Sequence, residues 1–429
     1  MNINIITLGC SKNTVDSENL AQGLKAKGHS VHFDRQRNDC DTTIVNTCGF
    51  IGDAKEESVN AILQQIAVKT RGRKSRRLLV CGCLVERYRD ELAREMPEVD
   101  GWFGVHEWEK IIDSIETVES IDSIGVRPLS TPAHYAYLKI AEGCNRSCSY
   151  CAIPLIRGAH RSRPMDDLVA EAQQLVRTGV KELIVISQDT TYYGLDIYGR
   201  RTLGELLNRL ADESGAEWIR LHYTYPTSFP EDAIDAIARH ANICNYIDIP
   251  LQHINSRLLS SMQRGIDREG TLRLLDTMRS KLPDVAIRTT LIAGYPGETE
   301  REFEELKEFV RQARFDRMGC FAYSPEEGTP AAKLGDTVPQ EEKERRVSEL
   351  MAIQEQISLE KNQARIGHTY RCLIDRREGE YLVGRTEYDS PDVDDEVLIH
   401  QTKAGIRPGD FVQATITQAF ENDLIAQLC

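Results

Sequence analysis

The apolar positions change their period along the chain. In the first section, short apolar runs at 3–8, 43–46 and 78–81 are separated by stretches of helical spacing that begin near Ser17, Asp53 and Glu86. Strand and helix in alternation predict parallel strands with right-handed crossovers, covered on both faces. A doubly wound parallel sheet over residues 1–125 is the expected fold. The segment 115–132, with Ser120, Ser123, Pro128, Ser130 and Pro132, is polar and aperiodic and reads as a linker.

From 134 to 360 the rhythm resumes on a larger scale. Strands are expected at 136–141, 182–187, 218–223, 246–250, 286–293 and 317–322, each followed by a helical pattern. Six such units fall short of the eight that close a βα barrel, so a partial (β/α)6 barrel is expected. Helical spacing runs on from 340 to about 364. Beyond it the period drops to two at 370–374, 381–385, 396–400, 411–417 and 424–427, with turn residues between, which predicts a small all-β barrel over 366–429.

Composition narrows the function. The chain carries 53 Lys plus Arg against 67 Asp plus Glu, a net charge of −14. An acidic surface repels phosphate backbones at long range and favours a basic protein partner. No apolar run reaches the roughly 18 residues of a membrane span, and the first ten residues lack the basic segment of a secretory signal. A cytoplasmic protein without a membrane partner is expected. Twelve cysteines are many for that compartment, so clustered ones read as ligands or catalysts rather than disulfides.

Cys144, Cys148 and Cys151 share one short loop after the first strand of the second section, where βα barrels build their active sites. Three thiolates so spaced suit three corners of an iron–sulfur cube and leave the fourth iron open. A zinc loop completed by His160 is the rival. Cys10, Cys48 and Cys83 each end an apolar strand, and in a doubly wound sheet such ends share one edge. They make a second three-thiolate set; Cys81 competes with Cys83, whose Gly-Cys-Leu setting at the strand end makes it the better ligand and leaves Cys81 to the core. Cys40, Cys244, Cys320, Cys372 and Cys429 have no partner spacing and read as structural or incidental. His222, His253 and His400 read as core histidines, and Tyr192 and Tyr193 as core or cavity lining.

The CxxxCxxC at 144–151, with Tyr150 before the last cysteine, resembles the radical S-adenosylmethionine superfamily over residues 134–360. The resemblance implies that the open iron chelates S-adenosylmethionine and that an electron from the cluster cleaves it to a 5′-deoxyadenosyl radical. Tyr150 then lies near the adenine, with Ile292 and Gly294 on the adenine side and Gln252 toward the ribose. Gly9-Cys10-Ser-Lys-Asn13 through Glu18, Asn46-Thr-Cys48-Gly-Phe-Ile51, Gly82-Cys83-Leu84, Arg157-Gly158 and Arg161-Ser-Arg-Pro164 extend the resemblance to the methylthiotransferases over essentially the whole chain. The Cys-Ser-Lys-Asn form at 10–13 is similar to the RimO-type branch, which modifies an aspartate of ribosomal small-subunit protein S-twelve.

That resemblance implies two [4Fe-4S] clusters. The auxiliary one, on Cys10, Cys48 and Cys83, would hold an exogenous sulfur that is methylated by one S-adenosylmethionine. Cleavage of a second at the Cys144, Cys148 and Cys151 cluster would provide the radical that opens the aspartate β-carbon to the methylthio group. The sulfur and electron donors are not identified by it. The C-terminal barrel resembles a TRAM domain, often an RNA module. Residues 366–429 hold 6 Lys plus Arg and 12 Asp plus Glu, so a basic ribosomal protein is the expected partner, with the acidic run 392–396 as its contact. The basic stretch 69–77 is a weaker candidate for RNA contact. The alternatives are the same chemistry on a tRNA adenosine, and an iron–sulfur scaffold or electron-transfer protein without chemistry of its own.

Overall fold

The computed structural model describes residues 1–35, 40–71, 76–116, 126–400 and 405–429. It divides into two compact units. One comprises Met1–Thr131 with Glu142–Asn145 and Ala152–His160; the other comprises Pro132–Ala141, Arg146–Cys151 and Arg161–Cys429.

The first unit is built on five parallel strands, β1 (Asn2–Thr7), β2 (Ser30–Phe33), β3 (Thr42–Thr47), β4 (Arg77–Gly82) and β5 (Gly101–Phe103), in the order 2-1-3-4-5. Helices α1 (Ser11–Ala26), α2 (Gly52–Arg71), α3 (Cys83–Glu95) and α4 (Trp108–Asp113) connect and cover them. Ile3, Ile5, Ile44 and Leu79 pack with Leu20 and Leu24 of α1 and Ile111 of α4. Val45, Val80 and Leu78 pack on the other face with Ile62 of α2 and Leu92 of α3. Both faces are buried, as the apolar runs require. The strand order reverses between β1 and β3, and such a switch point opens a crevice at the C-terminal strand ends.

Two short strands, β2 and β5, were not expected from the apolar pattern, and α1 starts at Ser11 rather than near Ser17 because polar Ser-Lys-Asn-Thr fills its first turn. The expected linker is only partly one. Residues 117–125 lie outside the described residues, but Arg127 is buried in an ion pair with Glu18, which also accepts hydrogen bonds from Ser130.

The second unit contains six parallel strands in sequential order, β6 (Tyr135–Lys139), β7 (Glu182–Ile186), β8 (Trp218–Leu221), β9 (Ile243–Asp248), β10 (Ala286–Ala293) and β11 (Arg317–Ala322). This is the open (β/α)6 barrel. The helix Gln340–Gln363 lies against the last strands and leads into a closed five-stranded barrel, β12 (Thr369–Glu378), β13 (Tyr381–Arg385), β14 (Glu396–His400), β15 (Phe411–Ala419) and β16 (Asp423–Leu428). Its core is Cys372, Ile374, Leu382, Val397, Ile399, Ile416 and Leu424, the inward half of each alternating strand.

The acidic run 392–396 does not lie free. Asp394 faces Arg288 of β10, Asp395 faces Arg317 of β11, and Asp392 accepts the Tyr135 hydroxyl. Asp389 is also paired with Arg317, Ser390 Oγ lies 2.8 Å from His222 Nε2, and Arg220 donates to the Glu387 carbonyl at 2.7 Å. Two members of the expected partner contact at 392–396 are committed internally: the Asp394 and Asp395 side chains are buried between the two barrels against Arg288 and Arg317, while Asp392 is exposed. Lys69 and Arg77 of the basic stretch are likewise engaged, on Asp100 and the Ser114 carbonyl, while Arg73 and Lys74 lie outside the described residues.

Candidate active site

Cys10, Cys48 and Cys83 follow β1, β3 and β4, at the C-terminal edge where the strand order reverses. Cys10 is the N-cap of α1, where the backbone N–H groups of Lys12 and Asn13 meet its sulfur, and Cys83 is the first residue of α3. Cys48 is pinned by α2: its N–H donates to Ser58 Oγ at 3.0 Å, and Ser58 Oγ donates back to its carbonyl at 2.9 Å. Gly9 has φ +86°, and a Cβ there would lie 2.8 Å from Cys48 Sγ, so the loop after β1 passes directly over that thiol.

Asn13 ties these ends together. Its Nδ2 donates to the Leu8 carbonyl at 2.8 Å and to the Thr47 carbonyl at 3.0 Å. Asn46 Nδ2 returns to the Asn13 carbonyl and to Ser17 Oγ at 2.9 Å. Each buried polar atom here is paid for by a partner, which fixes the loops.

Burial pushes the Cys83 thiol up to about 12, with Arg157 pulling against it and Cys10 and Cys48 adding to the rise. Burial also raises Cys48. Cys10 is lowered: burial acts against it, but Lys12, Arg157 and the backbone N–H groups of Asn13 and Lys12 outweigh burial. The mutual influence of the three thiols places them in one neighbourhood. Cys81, one residue before the strand ends, packs instead with the core under α1, and burial pushes it up to about 12.

In the second unit, Cys148 is buried beside Tyr225 and Arg264. Tyr225 Oη lies 3.3 Å from Cys148 Sγ, and Arg264 Nη1 donates to that sulfur at 3.5 Å and to the Tyr150 hydroxyl at 3.1 Å. Arg264 Nη2 donates to the Pro250 carbonyl, and its guanidinium lies 4.2 Å from the centre of the Tyr225 ring. Arg146 covers the same ring at 4.0 Å and is held by Asp189 at 2.6 Å. Tyr192 stands under the cations of Arg146 and Arg201, whereas Tyr193 is fully buried.

Tyr150 and Ile292 pack in one cluster with Leu258, Met262, Tyr295, Tyr323 and Ala331. Gln252 adopts a left-handed φ of 73° and exchanges backbone hydrogen bonds with β10, its N–H to the Thr290 carbonyl and its carbonyl from the Ile292 N–H. Gly294 has φ +76°, and a Cβ there would lie 2.3 Å from Lys343 Cγ; its N–H donates to the buried Glu298 carboxylate. Tyr150, Gln252, Ile292 and Gly294 thus gather around the end of β10. Arg264 and Tyr225 were not foreseen, because a lone arginine and a lone tyrosine in loops carry no spacing signal.

None of the twelve cysteines is joined in a disulfide. Among the described residues, no three His, Cys, Asp or Glu side chains lie at the spacing of a single metal ion. The His160 N–H donates to Asn145 Oδ1 at 2.9 Å. The donor set, all thiol and arranged in threes, suits iron–sulfur ligation.

An open parallel barrel with a three-cysteine loop after its first strand defines a radical S-adenosylmethionine enzyme. Residues 138–310 match the Radical SAM superfamily, residues 2–104 the Uncharacterized protein family UPF0004, and residues 366–429 the TRAM domain. The proteins named ribosomal protein uS12 methylthiotransferase RimO include one from Flavobacterium psychrophilum, 53% identical over 99% of this chain and 97% of its own. One from Cytophaga hutchinsonii is 50% identical over 99% and 97%. The chain belongs to this RimO family of methylthiotransferases. Among solved structures, the radical S-adenosylmethionine methyltransferase TsrM from Kitasatospora setae has the same fold, with TM-score 0.57 and 14% identity over 77% of this chain and 73% of that one. The protein is a methylthiotransferase, and S-adenosylmethionine and a [4Fe-4S] cluster are its cofactors. Among the described residues no helix is long and apolar enough to cross a membrane.

Proposed function

We propose that this enzyme adds a methylthio group to the β-carbon of an aspartate in ribosomal protein uS12, in the cytoplasm, using two [4Fe-4S] clusters. Identity of about half to proteins of that name over nearly the full length of both chains carries the reading. Cys144, Cys148 and Cys151 hold one cluster, and Cys10, Cys48 and Cys83 hold the auxiliary one. When bound, the clusters and S-adenosylmethionine supply the 5′-deoxyadenosyl radical and the methylated sulfur.

The chain's own residues position and enclose. Arg264 and Tyr225 hold Cys148 and keep water from its sulfur. Tyr150, Ile292, Gln252 and Gly294 form the wall for the nucleoside of S-adenosylmethionine, with Gln252 held in its left-handed conformation by β10. Asn13 and Ser58 fix the loops that carry Cys10 and Cys48. With Asp394 and Asp395 committed internally, contact of the C-terminal barrel with a basic substrate protein falls to outward carboxylates such as Glu380 and Glu421.

Mass spectrometry of uS12 and of tRNA from a strain lacking this gene, with and without the gene restored, tests the substrate. Restoration of a methylthio mass on one uS12 aspartate supports the proposal. Restoration on a tRNA adenosine alone replaces it.

A further inference from the structure

Arg157 is a charge buried among thiols. It ends a short helix, α5 (Ile153–Arg157), within the first compact unit, and its side chain is almost wholly removed from solvent. Its Nη1 donates to Asp16 at 2.6 Å and to Glu142 at 3.2 Å. Its Nη2 points the other way, to Asn13 Oδ1 and, at 3.3 Å, to Cys83 Sγ. The positive charge also acts on Cys10 and Cys48.

The fork is held for a purpose that stability alone does not supply. Burying a guanidinium is costly unless its donors are matched, and the two carboxylates already engage Nη1. They fix the plane of the fork, so that Nη2 is aimed at a sulfur rather than at solvent. The next residue continues the link: the Gly158 carbonyl accepts the Cys144 N–H at 3.1 Å. A single turn of chain thus touches a thiol of the auxiliary set through its side chain and the backbone of Cys144 through its carbonyl.

We propose that Arg157 is the positioning residue of the auxiliary cluster: it donates an N–H to the Cys83 sulfur and sets a fixed positive charge beside all three thiolates, stabilising the more reduced cluster. The inference rests on Cys10, Cys48 and Cys83 holding that cluster. Hydrogen bonds to ligating sulfur and local charge are the levers by which a protein sets cluster potential, and a cation beside the ligands favours the state with the added electron. Asn13, which receives the same Nη2, keeps the fork from rotating away.

The test uses the full-length chain with Cys144, Cys148 and Cys151 all changed to Ala, reconstituted anaerobically so that only the auxiliary cluster remains. Iron and sulfide content and the midpoint potential, from a reductive titration followed by electron paramagnetic resonance, are compared for Arg157, Arg157→Lys and Arg157→Met. The midpoint is expected to move to more negative values in Arg157→Met and to recover in part in Arg157→Lys, which keeps the charge but not the fork. An unchanged midpoint in Arg157→Met with full iron overturns the proposal. Should Arg157→Met fail to fold or to hold iron, Arg157→Lys decides, and an unchanged midpoint there overturns it. Absence of iron from the parent with Arg157 intact overturns the auxiliary-cluster reading and this inference with it.

Discussion

The hydroxyl of Tyr246 donates a 2.8 Å hydrogen bond to Oδ2 of Asp394. The same oxygen accepts the Ser390 N–H at 2.9 Å, and the other oxygen of that carboxylate meets Arg288 Nε at 3.2 Å. Tyr246 and Arg288 belong to adjacent strands of the open barrel, whereas Asp394 comes from the C-terminal one, so a single acid joins them. Removing it leaves the buried Tyr246 hydroxyl without its acceptor and Arg288 with Asp248 alone. Asp394→Ala is therefore expected to lower stability by about 1–3 kcal/mol, read by urea unfolding, while Glu380→Ala on the exposed face leaves the midpoint unchanged. Equal effects would mean that Asp394 is not a joint.

A second joint makes stability depend on pH. His222 is buried, stacks on Tyr246 with ring centres 5.7 Å apart, and lies 2.8 Å from Ser390 Oγ. Burial pushes its pKa down to about 3; Arg220 and Arg288 act in the same direction and Asp248 opposes them. The unfolded chain protonates this ring near pH 6.5 and the folded chain refuses the proton until about 3. The contribution is complete above the unfolded value and is lost as pH falls, at about 1.4 kcal/mol per unit. The stability difference between the wild type and His222→Gln is expected to shrink by about 2 kcal/mol between pH 7 and pH 5. A difference that stays constant over that range, in paired unfolding curves, contradicts a buried neutral imidazole.

The cysteines were legible for a topological reason. Cys10, Cys48 and Cys83 each close an apolar run, and parallel strands must end on one edge, so sequence separation becomes spatial proximity. The strands β2 and β5 were not legible, because Ser30–Phe33 and Gly101–Phe103 are too short to display a period. Asp394 and Asp395 misled for a different reason. A charge run is solvated unless something opposite answers it, and Arg288 and Arg317 lie about 75–105 residues away in the chain with no local signature. Arg157 and Arg264 share that difficulty: what each touches is decided by the fold, and nothing in its neighbours announces it.

Cys81 and Cys83 lie two residues apart, and their surroundings separate their roles. Cys81 packs with Ile5, Leu20 and Leu79 under α1, while Cys83 opens α3 and receives Arg157. On the proposed two-cluster reading, Cys83→Ala is expected to lower bound iron by about half after anaerobic reconstitution. Cys81→Ala is expected to keep its iron and lose some stability through the cavity it leaves. The reverse iron contents would reassign the ligand.

Arg264 offers a means of separating chemistry from architecture at the other site. Its two terminal nitrogens reach Cys148 Sγ, the Tyr150 hydroxyl and the Pro250 carbonyl, a set that a lysine cannot span. Cys148→Ala removes a ligand and is expected to abolish 5′-deoxyadenosine formation from S-adenosylmethionine. Arg264→Lys leaves all three cysteines in place, so iron should be retained while cleavage slows by about 10–100-fold, the usual cost of losing a group that orients a ligand. Tyr225→Phe removes only the hydroxyl 3.3 Å from the same sulfur and keeps the ring that lies beneath both arginines. It should fall between the wild type and Arg264→Lys. A full rate in Arg264→Lys with iron intact would show that the guanidinium serves packing around Tyr225 and has no part in holding Cys148 for the reaction.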